Sequence, residues 1–174
     1  MIVVETLLRD IFSQIPDVVY TDVNRGESSI PVKYEWGGQD DLNLYMVQET
    51  GNKTPLIWLV QGNIDNFEEG ELNRDVVLII SKNSEHKADR NPKVWDTEFV
   101  DFLNPLLEKV IFALKVNGVC RIVDNKFSIR REANYSETEG KNSKTIDHWN
   151  IIEFKCKLIF SGINQCVKQN IFNL

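Results

Sequence analysis

HWNIIEFKCKLIFSG, residues 148–162, alternates in two-residue steps. Ile152, Phe154, Cys156, Leu158 and Phe160 fall on one side of an extended chain, with Glu153, Lys155 and Lys157 on the other. A strand with one apolar and one charged side packs by a single face. That is the habit of antiparallel sheets, whereas the strands of a doubly wound sheet are apolar on both faces.

Working outward, DVVLIISK (75–82) is a continuous apolar run of strand length and reads as a central strand enclosed on both sides. KTPLIWLVQG (53–62) reads as another strand, with Pro55 at its start, where a missing N–H matters least. IPVKYEW and LNLYMVQ flank the turn-like GGQDD and predict a hairpin; VCRIV and KFSIRR predict a second one around Asp124-Asn125. The stretch between Asp17 and Ser29 reads as a polar connection.

Two helices stand out. Val4, Leu7, Leu8, Ile11, Phe12 and Ile15 recur at spacings of three and four, predicting a helix over 2–14 that Pro16 ends. In WDTEFVDFLNPLLEKVIFALKVNG (95–118), Asn104 suits an N-cap and Pro105 the first helical position. The main helix is therefore expected from Asn104, with Leu106, Leu107, Val110, Ile111 and Leu114 buried and Asn117-Gly118 as its stop. Asp96–Leu103 becomes a separate helical turn set at an angle by the proline. Two helices and roughly six or seven strands with hairpin-like connections predict an α+β fold, a mostly antiparallel sheet with both helices packed on one face.

At 174 residues the chain has the length of one domain, expected to span 1–174 with long polar insertions at about 81–94 (SKNSEHKADRNPKV) and 132–147 (EANYSETEGKNSKTID). Unstructured connections of more than about 12 residues are uncommon and usually functional. With 26 acidic against 20 basic side chains the net charge is −6, and no overall cationic field draws the chain to nucleic acid. Cys120, Cys156 and Cys166 are odd in number and widely spaced, which favours reduced thiols in a cytosolic setting over a disulfide framework. Glu5, Arg9 and Asp10 do not fit a secretion leader, and no run approaches the ~20 apolar residues of a membrane span.

Catalytic signatures are sparse. His86 and His148 lack a second ligand at metal spacing, and there is no GxGxxG, GxxxxGK[ST] or GxSxG. Pro16-Asp17 and Glu153-Phe154-Lys155 supply the halves of a PD and ExK nuclease pattern, but far apart in sequence and with Asp17 at a helix end. Asp65, Glu68, Glu69 and Glu71 crowd one loop without the D-x-D-x-D-G spacing of a calcium site. No catalytic residue, metal or cofactor is expected. The four tryptophans, Trp36, Trp58, Trp95 and Trp149, read as core or interface anchors.

The order of elements, and in particular PLIWLV, LIISKNSE and WDTEFVDFLNPLLEKV between residues 55 and 115, resembles the tail-terminator and tail-completion proteins of the tailed-bacteriophage neck. The resemblance implies a structural virion protein, assembled in the host cytoplasm, whose copies close into a ring that ends the tail and joins it to the head. A hexamer is favoured over a dodecamer, the dodecamer suiting the alternative of a portal-side connector ring. The implied partners are further copies of the chain and neighbouring neck, connector or tail-tube proteins. DNA would only pass through the lumen, and no membrane is involved. Within that reading Lys82, Glu85, His86, Lys87, Arg90, Trp95, Glu153, Lys155 and Lys157 are candidates for subunit interfaces or an assembly arm. Asp65, Glu68, Glu69 and Glu71 are candidates to line the lumen, where negative charge repels DNA.

Overall fold

The structure is a computed structural model. It describes residues 3–22, 26–48, 55–62, 64–84, 92–135, 148–161 and 171–172. Along the chain these form α1 (Val4–Phe12), β1 (Val18–Asp22), β2 (Gly26–Ile30), β3 (Lys33–Gly37), α2 (Gln39–Gln48), β4 (Leu56–Val60), β5 (Asn66–Glu68) and β6 (Glu71–Ser84). There follow α3 (Pro92–Trp95), a π-helical segment (Asp96–Leu103), α4 (Asn104–Val116), β7 (Cys120–Glu132) and β8 (His148–Ser161).

The main sheet has the order β3-β4-β6-β8-β7, with β5 added to β6. Among the described strands only β3 and β4 run parallel; the other pairings are antiparallel, so the fold is α+β as the alternation predicts. The spine is the β6–β8 ladder, paired from Glu71 opposite Ser161 to Ser84 opposite His148. On one face Leu72, Val76, Leu78 and Ile80 of β6 join Ile152, Phe154, Cys156, Leu158 and Phe160 of β8 in the larger core, under α1 and α4. Ile79, Trp149 and Ile151 turn to the other face, where they pack with Trp58 and with Leu42 and Met46 of α2. DVVLIISK is thus a central strand enclosed on both sides near its end. The expectation of two helices on one face is corrected: α2 lies on the opposite face from α1 and α4.

The first expected hairpin is also corrected. LNLYMVQ lies in helix α2, so β3, α2 and β4 form a strand–helix–strand unit with parallel strands. Leu42 and Met46, four apart, are the positions it buries. Asp41 Oδ2 accepts the Gly38 N–H at 2.8 Å, the reach-back half of a capping box that starts a helix. A hairpin lies earlier, where β1 and β2 pair from Val18 opposite Ile30 to Asp22 opposite Gly26, in the stretch read as a polar connection.

VCRIV and KFSIRR form one strand. Between the pairs Ile122–Leu158 and Phe127–Cys156, β7 advances five residues while β8 advances two. Asp124 and Asn125, at φ 51° and 53°, make a bulge rather than a reversal. The reason lies in β8, whose unbroken alternation gives both segments a partner long enough to follow.

Around Pro105 the helix is re-wound instead of broken. Asn104 has helical angles (φ −66°, ψ −47°) and its N–H bonds Phe99 O, five residues back, so it is no N-cap. Proline has no N–H, and its ring collides with the carbonyl four residues earlier in a regular helix. The wider π turns ahead of Pro105 relieve that collision. The Asn117-Gly118 stop is found as expected, with Gly118 at φ 84°. Asn117, fully buried, donates to Ala113 O (3.0 Å) and Leu114 O (2.8 Å) while accepting the N–H groups of Val119 (2.7 Å) and Cys120 (2.8 Å). One side chain closes α4 and opens β7.

Candidate functional site

The β6–β8 ladder has two ends, and the candidate residues divide between them. At the far end Ser84 faces His148, the last described residue before the first polar insertion opposite the first described residue after the second. Glu85, His86, Lys87 and Arg90 lie outside the described residues, as does most of the second insertion. The boundary of the first insertion is corrected. Strand β6 runs on to Ser84, and Ser81 and Lys82 are buried within it.

Lys82 is therefore not on an arm. Its ammonium lies 3.0 Å from Glu98 Oε2 and 4.7 Å from the Phe102 ring centroid, in the seam between the sheet and the π-helical segment. Two charges are held there by each other, which is the condition for burying either. Trp95 is half-buried and stacks on Phe99 with centroids 4.1 Å apart, an internal anchor for the same helix. Nearby, Asn150 Oδ1 accepts the Asn134 N–H at 3.2 Å, and Tyr135 meets the Gln39 side-chain amide, fastening the start of the second insertion to α2.

At the near end, Asp65, Glu68, Glu69 and Glu71 belong to a tight hairpin instead of an open loop. Glu68 faces Glu71 across Glu69 and Gly70, both with positive φ (52° and 83°), as a two-residue type I′ connection demands. Asp65 approaches Arg74 at 3.5 Å, and Glu71 approaches Arg121 at 3.6 Å. Arg74 is buried and also holds Glu5 of α1 at 2.8 Å. Burial raises the Glu5 carboxyl, but its hydrogen bonds and the Arg74 charge outweigh that and leave it lowered. Glu68 and Glu69 are exposed, together with Ile64 (77%) and Phe67 (64%). These two apolar side chains escaped the sequence reading, although a large apolar residue amid carboxylates in NIDNFEEG is a visible signal.

Glu153, Lys155 and Lys157 stand on the sheet face opposite the larger core, as the alternation predicts. Glu153 and Lys155 pair at 2.9 Å, and Lys157 lies opposite Asp75 in register. Asp17 accepts a hydrogen bond from Ser29 Oγ at 3.2 Å, next to Val18 in the larger core, so the sheet separates it from Glu153 and Lys155. Among the described residues no group of three or more His, Cys, Asp or Glu side chains is placed to hold a metal ion. No described helix is long and apolar enough to cross a membrane. No protein-family model matches the chain, and no match to it is found among curated proteins.

Proposed function

We propose that this protein is a structural virion subunit whose copies form a ring at the head–tail neck of a tailed phage, completing the tail and joining it to the head. The observation that carries the reading is the chemical difference between the two ends of the β6–β8 ladder. At one end Ser84 pairs with His148, the two strand ends that adjoin the polar insertions in sequence; the other end presents an acidic hairpin with Ile64 and Phe67 exposed. A subunit between two unlike neighbours needs two unlike contact surfaces, and one whose copies close head to tail needs a heterologous one. In this reading the chain has no catalytic centre and no cofactor, and a hexamer is favoured.

Electron microscopy of the purified chain tests this. Closed rings, six-fold for a tail terminator, are the expected images. Twelve-fold rings would move the protein to the portal side, and a monomer at every concentration up to about 1 mM, alone and with infected-cell extract, would end the reading.

A further inference from the structure

We infer that the ring contact is a shared sheet, in which the outer edge of β5 in one copy pairs with the outer edge of β7 in the next. This deepens the proposed ring and rests on it. Three observations converge on these two edges.

The first is topology. β7 ends the main sheet at one side and β3 at the other, while β5 joins β6 on the side away from β8. Among the described residues neither β5 nor β7 has a strand on its outer edge, so within them each edge presents backbone N–H and C=O groups that another chain could pair. Two different edges on opposite sides of one sheet cannot satisfy each other within a two-fold pair by the same contact. They make a head-to-tail contact, which closes into a ring when the rotation permits.

The second is charge. Residues 64–71 carry Asp65, Glu68, Glu69 and Glu71 and no lysine or arginine; Asp65 and Glu71 are held within the chain by Arg74 and Arg121, and Glu68 and Glu69 are the exposed pair. β7 carries Arg121, Lys126, Arg130 and Arg131 against Asp124 and Glu132, an excess of two positive charges, with Lys126 beside Asp124 and Arg130 beside Glu132. A chain with a net charge of −6 thus places a cationic strand on one edge and its densest run of carboxylates beside the other. Complementary potentials of this kind steer encounter and fix register.

The third is apolar exposure. Phe67 in the middle of β5 is 64% exposed, and Phe127 on β7, which packs one side of its ring against Phe154, is 39% exposed, so each strand shows part of an aromatic ring among its charges. Aromatic cross-strand pairs add to a ladder beyond its backbone bonds. Charged residues and a bulge on β7 are also what an edge strand uses to prevent pairing, and the experiment separates these roles.

Two full-length variants are prepared, Glu68→Lys with Glu69→Lys, and Lys126→Glu with Arg130→Glu, each checked for folding by circular dichroism. Light scattering should show wild type assembled and each variant shifted at least tenfold toward subunits at low salt. An equimolar mixture should reassemble in alternation, because each altered edge then meets its complement. Amide exchange of the wild type should show β5 and β7 protected on assembly, a readout independent of whether either variant folds. If both folded variants assemble like wild type, or if exchange at β5 and β7 is unchanged in the ring, the shared sheet is wrong and the ring stands. A wild type that never assembles removes both.

Discussion

Lys82 Nζ lies 3.0 Å from Glu98 Oε2 where the sheet meets the π-helical segment, and both residues are buried. A pair of this kind contributes little over a well-packed apolar substitute, yet removing one member strands the other. Glu98→Ala is expected to destabilise the fold by about 3–5 kcal/mol. The double replacement Lys82→Met with Glu98→Leu should recover most of that loss. Urea denaturation of the three proteins checks it; equal losses in the single and double variants would show that the pair is not what matters.

Asn117 satisfies four backbone groups at the α4–β7 junction, at distances of 2.7 to 3.0 Å. Asn117→Ala strands buried donors and acceptors and is expected to reduce stability by about 3 kcal/mol, at the upper end for a single lost polar side chain. Asn117→Asp keeps the two acceptor contacts but sets a carboxylate against the Ala113 and Leu114 carbonyls, so it should be no better than alanine. Thermal melts distinguish these.

Burial pushes the thiols of both Cys120 and Cys156 up to about 12. Both should resist alkylation in the folded protein at pH 8 and react once urea is added, measured by intact mass in a Cys166→Ser background. The same shifts fix the sign of the alkaline response. A folded value above the unfolded one gives stability that is complete below the unfolded value, about 8.5 for a free thiol, and is lost as pH rises toward 12. Urea midpoints should be flat for these groups below pH 8. Above about pH 9 they should fall, by up to about 1.4 kcal/mol per pH unit for each thiol.

Excising residues 85–91 and bridging Ser84 to Pro92 with a short Gly-Ser link should leave the melting temperature within about 4 °C of wild type, the shift from roughly 1 kcal/mol. In a complementation assay the same protein should fail to complete particles. Excising 81–94 should instead unfold the protein, because Ser81 and Lys82 are core residues of β6. Full complementation by the shorter deletion would remove the assembly role from that segment.

What could be read from sequence was whatever one period governs. The two-step alternation of 148–160 and the apolar run 76–80 each describe a single strand against a single environment, and both survive in the structure. LNLYMVQ misled because strand-forming residues fill a helix that buries little more than Leu42 and Met46. The informative signal was the Gly38–Asp41 spacing, not the apolar content. Asp124-Asn125 fits a reversal and a bulge equally well, and the choice depended on β8, more than twenty residues downstream. Of the candidate site, the charged face of β8 was legible. The burial of Lys82 was not, because its partner Glu98 lies beyond a polar insertion that sequence reasoning treats as one exposed arm.

The β6–β8 ladder also acts as a ruler. Fourteen residues, thirteen steps of about 3.3 Å, set roughly 43 Å between the hairpin end and the insertion end. A neck assembled from such subunits would inherit its axial spacing from strand length. Trimming two residues from both strands would shorten that distance by about 7 Å with every side chain keeping its face, whereas trimming one would turn the core outward.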